Sequence, residues 1–208
     1  MDSYVTVKQI GEFRNEEKKS VFIGYALPIS NERDAIEFIS AVKKKHPDAR
    51  HWVYAYALRE NSTIRYSDDR EPQGTAGIPV LDVIRKNGCT DVVIVVVRYF
   101  GGTLLGTGGL VRAYTECALG ALKSASIIKY NLYTELKISV SYSDYQKLLT
   151  VFSAFDFLSQ NVEFAEDVVV IGTIISEKRD ELEANITELT SGRGMVEFVT
   201  EKFDFREN

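Results

Sequence analysis

The chain has 208 residues, 45% of them hydrophobic and 26% charged, with a net charge of −5. That composition is that of a globular protein with one large or two small domains, and it speaks against a broadly basic nucleic-acid binder. The opening residues are too polar and mixed for a signal segment, and the longest apolar run, Val92–Val97, is too short to cross a bilayer, so a cytoplasmic chain with reduced Cys89 and Cys117 and no membrane partner is expected.

In chain order, "YVTVKQI" and "SVFIGYALPI" read as strands around a charged turn. "NERDAIEFISAVKKKHPD" reads as a helix capped by Asn31, with basic residues at its C-terminal end to suit the dipole. "HWVYAYALRE" and "TIRYSDD" form a hairpin across Glu60, Asn61 and Ser62. "GTAGIPVLDVIRKNG" is a loop leading into a helix that stops at Gly88. "DVVIVVVRYF" is apolar almost throughout, the pattern of a strand buried on both faces. "GGLVRAYTECALGALKSA" is the last helix of this half, and the sheet it covers is expected to be mixed.

The remainder is simpler. A strand in "LYTELKISVSY", a helix "SDYQKLLTVFSAF" capped by Ser143, and strands near 158–165 and 167–175 follow. A helix from a Ser176 cap to a Gly192 stop and a closing strand "MVEFVTEKFDF" complete the order βαββαβ, the ferredoxin-like split βαβ motif. Residues 131–208 hold 7 Lys and Arg against 15 Asp and Glu (−8), leaving 18 against 15 (+3) in residues 1–130. The boundary is therefore placed near Ile127–Leu132, with domains 1–129 and 130–208, and any polyanion contact belongs to the first.

Two glycine clusters precede helices: Gly74 and Gly77, then Gly101, Gly102, Gly106, Gly108 and Gly109. Helix N-termini attract anions, and bare backbone lets a phosphate approach. The clusters equally serve tight turns and close packing, and "GGTLLGTGGL" is neither a P-loop nor a dinucleotide fingerprint. Arg98, Tyr99 and Arg112 flank the second cluster, with Arg112 placed in or near the first turn of its helix, where a cation calls for a negative partner. Asp68, Asp69 and Glu71, followed by Thr75, could offer oxygen ligands to a cation, act as an acid/base pair, or cap the next helix and pair with Arg98 or Arg112. Tyr66, Tyr99, Phe100 and Tyr114 lie near arginines in sequence and could stack bases. His51 opens an apolar strand, Cys117 falls well inside a helix, and neither forms a triad or a metal spacing with its neighbours. No catalytic residue, resident metal or cofactor is assigned, and no DNA sequence reader is evident.

"SVFIGYA", "ARHWVYAY", "SDDREPQGTAGIPVL" and above all "IVVVRYFGGTLLGTGGLVRAY" resemble the IMPACT family of YigZ-type bacterial proteins. The resemblance covers about residues 1–125, and 132–204 resembles the companion domain of bacterial members, similar to a ferredoxin-like domain of elongation factor G. It implies an α+β chain whose first domain resembles domain 2 of ribosomal protein S5. Eukaryotic members regulate translation under amino-acid stress by competing for an activator of an initiation-factor kinase, through a further N-terminal domain that this sequence does not include. The resemblance therefore implies a non-enzymatic regulator binding RNA, the ribosome or a protein partner. The alternative is an enzyme or sensor that takes a phosphate-bearing molecule at the glycine-rich loops. A concave, preformed pocket beside Arg98 favours the alternative, and a broad open surface the macromolecular binder. One departure stands out: Arg70 occupies the glycine of the family's Asp-Asp-Gly-Glu-Pro, which implies a position that tolerates a side chain.

Overall fold

The computed structural model describes residues 2–206; the outermost residues of the two expected domains, 1, 207 and 208, lie outside the described residues. The fold is α+β, and the chain divides into two compact units with the boundary in sequence between Lys129 and Tyr130; Asp2 and Ser3 group with the second.

The first unit opens with β1 (Ser3–Val7), of which it holds all but Ser3, followed by β2 (Gly11–Glu17) and β3 (Ser20–Pro28). It continues with α1 (Glu32–Lys45), β4 (His51–Ala57), β5 (Ile64–Ser67), α2 (Gly77–Lys86), β6 (Val92–Tyr99) and α3 (Gly106–Ser124). Its sheet runs in the order β2-β3-β6-β4-β5. Every adjacent pair is antiparallel, which corrects the expectation of a mixed sheet. β3 and β4 run parallel, joined through α1, but β6 is inserted between them and opposes both.

β6 is buried on both faces because helices cover both. Val92, Ile94 and Val96 pack with α2 and α3, while Val93, Val95 and Val97 pack with α1. Successive strand residues alternate between faces, so one apolar run serves two cores. Asn31 caps α1 as its sequence predicts, its side chain accepting from Asp34 N at 3.0 Å.

β2 is the element that sequence reading missed, since "GEFRNEE" looks like a charged turn. It is an edge strand whose charged side chains face solvent. It pairs with β3 from Gly11 opposite Ala26 to Glu17 opposite Ser20. Lys18 and Lys19, both at positive φ, make the two-residue connection.

The second unit contains β7 (Ile127–Val140) from Tyr130 onward, α4 (Tyr142–Ala154), β8 (Leu158–Phe164), β9 (Val168–Ile175), α5 (Arg179–Thr190) and β10 (Met195–Asp204). β7 pairs with β10 and with β9, and β9 with β8, all antiparallel, which is the ferredoxin-like arrangement; β1 also pairs with β7 in this five-stranded sheet. Leu136, Ile138 and Val140 of β7 and Val168, Val170 and Ile174 of β9 face Leu148, Phe152, Leu182 and Ile186 of the helices. Two caps differ from expectation. Ser141 rather than Ser143 caps α4, accepting from Asp144 N at 3.2 Å. Ser176 begins a short 3-10 turn, and α5 starts only at Arg179.

His46 ends α1 inside the first unit, bonded at Nε2 to Tyr25 Oη and at Nδ1 to Tyr99 Oη, both at 2.9 Å. Burial first, then the charge of Lys45, pushes its pKa below the ordinary histidine value, with Glu12 opposing. The unfolded chain therefore takes up this proton more readily than the folded one. Stability should fall as pH drops below about 6.5, the unfolded value, toward the lower folded value. Urea midpoints of wild type and His46→Gln across that window test this: the variant's midpoint should depend less on pH, and an identical slope would refute it.

Candidate functional site

Arg98 stands near the end of β6, opposite Phe22 of β3 and His51 of β4. Two-residue alternation from Val96 directs it to the face covered by α2 and α3. The same alternation sends Tyr99 to the other face, where it packs with the α1 cluster and bonds His46. The two neighbours in sequence therefore serve different sides of the sheet, and Tyr99 is not brought to Arg98.

Arg98 is buried and donates from Nη1 to Glu71 Oε1 at 2.6 Å. Tyr114 of α3, also fully buried, donates its hydroxyl to the same oxygen at 2.7 Å. Burial, then the charge of Glu71, holds the Tyr114 hydroxyl far above its usual pKa, so it remains a donor. His51 Nδ1 donates to the Asp69 carbonyl at 2.8 Å, and its Nε2 lies 3.8 Å from Glu71 Oε1. Arg98 Nη2 reaches Ser20 Oγ at 3.4 Å, whereas Arg98 Nε is buried without a hydrogen-bond partner.

The three acids do not converge on a cation. Asp68 turns to the start of α2, accepting from Gly74 N (2.9 Å), Ala76 N (3.1 Å) and Gly77 N (2.7 Å). Asp69 Oδ2 accepts from Trp52 N at 2.8 Å. Glu71 takes Arg98, so Asp68 caps, Glu71 pairs internally, and Asp69 instead binds the backbone of β4. Thr75 is buried and bonds back to the Pro72 carbonyl at 2.6 Å.

Residues 68–71 form a tight turn closed by Glu71 N donating to Asp68 O at 2.9 Å, with φ of 42° at Asp69 and 70° at Arg70. Both central residues are left-handed, the pattern of a type I′ turn, whose second central position favours glycine. This corrects the expectation for Arg70: its backbone is the one glycine suits. Arg70→Gly should raise stability by up to about 1 kcal/mol by relieving that conformation, less glycine's extra unfolded-state entropy. A urea midpoint lower than wild type would contradict the assignment.

The second glycine cluster divides by role. A Cβ on Gly101 would collide with the Lys19 carbonyl and Ser20 N, so this glycine lets the loop after β6 lie against the β2–β3 connection. Gly106 begins α3 at φ 72°, two residues before the helix start expected from sequence. Gly102 and Gly108 are exposed, and Gly109 is half-buried against Leu105. Arg112 consequently lies in the second turn of α3; it is exposed, and its side chain makes no hydrogen bond or ion pair among the described residues.

Between the 68–72 turn, the end of β6 and the start of α3 lies a pocket of about 400 Å³. Its polar wall is Arg50, His51, Arg70, Glu71, Arg98 and Thr107. Pro72, Phe100, Leu104, Leu105 and Leu110 supply an apolar wall, with Leu104 83% exposed at the rim. Gly106 lines the pocket too, whereas Gly74 lines a smaller cleft between α2 and α3. Arg50 was not singled out from sequence: it precedes β4 in a run of ordinary surface residues, and only the pairing of Arg50 N with the Arg98 carbonyl at 3.0 Å brings it here.

Residues 18–122 match the Impact N-terminal domain, and residues 138–193 match a domain of unknown function, DUF1949. The IMPACT family member YvyE of Bacillus subtilis is 35% identical over 197 residues, spanning 94% of this chain and 91% of that protein. An IMPACT family member of Haemophilus influenzae is 36% identical, spanning 96% and 98%. YigZ of Escherichia coli is 33% identical, spanning 85% and 88%. A solved structure described as a hypothetical protein superposes with a TM-score of 0.61 at 29% identity, covering 96% of this chain and 98% of that one.

Proposed function

The chain belongs to the IMPACT family, and on that premise we propose that it is a cytosolic protein linked to translation or stress whose first unit captures a phosphate-bearing ligand, as a sensor of that ligand or an enzyme acting on it, rather than a purely macromolecular binder. The observation that carries this reading is the pocket. It is concave and formed, it gathers three arginines beside the first turn of a helix, and one of them keeps a buried N–H without a partner. The apolar wall offers a planar or aliphatic body a place beside the phosphate. An RNA end presents the same chemistry. The charge split, +3 over residues 1–130 against −8 over 131–208, favours the first unit for any RNA or ribosome contact, which should weaken steeply with salt.

Thermal unfolding of the full chain tests the reading, with inorganic phosphate and a nucleoside monophosphate as probes. A ligand at about 100 times its dissociation constant should stabilise the fold by about 2.7 kcal/mol. Arg50→Ala, at an exposed position, should leave the unliganded melting temperature unchanged and shrink the ligand shift. No shift with any phosphate probe would refute the proposal.

A further inference from the structure

The charges on the pocket can be counted. Arg98 is neutralised by Glu71 at 2.6 Å. Arg50 and Arg70 are exposed, and neither side chain makes a hydrogen bond or ion pair among the described residues. Two uncommitted guanidinium groups therefore remain, next to the first turn of α3 at Gly106 and Thr107. The Nε of Arg98 is buried without a hydrogen-bond partner.

Arg70 holds its place against its own backbone. Its φ of 70° follows 42° at Asp69, and the turn is fixed from several sides. Glu71 N closes it on Asp68 O, Trp52 N and Ser67 Oγ hold the Asp69 side chain and amide, and His51 holds the Asp69 carbonyl. None of these bonds uses the arginine side chain. Its guanidinium contributes nothing to the turn, and it lines the pocket. Strained residues kept by an over-determined surrounding are a mark of function.

We propose that Arg70, together with Arg50, makes this pocket selective for a phosphomonoester over a phosphodiester. The inference rests on the pocket reading above and adds the charge state of the ligand to it. A phosphomonoester carries close to two negative charges at neutral pH and presents three terminal oxygens; a diester carries one charge and two free oxygens. Two planar guanidinium groups, each able to bond two oxygens, match the first and over-supply the second. The apolar wall of Phe100, Leu104 and Leu105 then takes the body that bears the phosphate. The monoester can come from a free nucleotide or from the 5′ end of an RNA.

Calorimetric titration of the full chain near neutral pH and at low salt separates the outcomes. The probes are adenosine 5′-monophosphate and its cyclic 3′,5′ diester, with short oligoribonucleotides bearing a 5′-phosphate or a 5′-hydroxyl to tell the two sources apart. Wild type should bind the monoester about tenfold or more tightly than the cyclic diester, and the phosphorylated oligoribonucleotide more tightly than the hydroxyl one. Arg70→Gly should melt at the same temperature or higher and lose most of that preference. Arg112→Ala, which removes an arginine away from the pocket, should keep it. Equal affinity for monoester and diester in wild type, or an undiminished preference in Arg70→Gly, overturns the inference while leaving the pocket reading in place. Binding of no probe overturns both.

Discussion

Arg98→Ala should destabilise the first unit by about 3–5 kcal/mol, because it strands a buried carboxylate. Glu71 is 8% exposed and would keep only the Tyr114 hydroxyl at 2.7 Å and a histidine nitrogen at 3.8 Å. Arg98→Lys should recover part of the loss: the charge survives, but the fork that reaches both Glu71 and Ser20 does not. The joint change Arg98→Met with Glu71→Leu should recover most of it, since the penalty belongs to the unpaired charge rather than to the absent bond. The chain's single tryptophan, Trp52, lies in β4, so its fluorescence during urea unfolding follows the first unit. A loss below about 1 kcal/mol in Arg98→Ala, the size of an exposed pair, would show that Glu71 is not held as described.

Asp68→Ala should cost roughly 2–4 kcal/mol, combining a lost helix cap with backbone donors left unpaired. α2 has no side-chain cap of its own, since its N-cap residue is Ala76. The carboxylate of Asp68 does that work from eight residues upstream, holding Ala76 N and Gly77 N with one oxygen and Gly74 N with the other. Its charge also suits the positive end of the helix. Asp68→Asn keeps one acceptor oxygen and should lose about half as much. Amide exchange at Gly74, Ala76 and Gly77 should accelerate in step with the loss of stability. Unchanged exchange at these three positions would contradict the capping role.

Much of the fold was legible because it lies in local pattern. The run at Val92–Tyr99 announced a strand buried on both faces, and the helix and strand order of the second unit followed from spacing. β2 was not legible, because an edge strand needs only its partner's backbone and can spend its side chains on solvent. The start of α3 was hidden for a related reason: its first residue is a glycine at φ 72°, and residue type says little about where such a helix begins.

At the site, the sequence named Arg98, Asp68, Asp69 and Glu71 and allowed that the acids cap and pair internally; Asp68 caps and Glu71 pairs with Arg98, whereas Asp69 binds the Trp52 amide. It could not show that Arg98 and Tyr99, adjacent in the chain, serve opposite faces of the sheet. Nor could it bring in Arg50, whose presence depends on β4 lying beside β6. Arg70 taught the opposite lesson. Its side chain suggested a position without conformational demand, and the turn holds it in the left-handed region all the same.

The central claim is that the pocket between the 68–72 turn and the start of α3 is a phosphate site. The most direct test is a structure of the full chain crystallised with adenosine 5′-monophosphate. The account predicts the phosphate within hydrogen-bond distance of the Arg50 and Arg70 guanidinium groups, with the base against Phe100 and Leu104. A phosphate bound anywhere else on the molecule, or a pocket that stays empty at ligand concentrations that stabilise the protein, would contradict it.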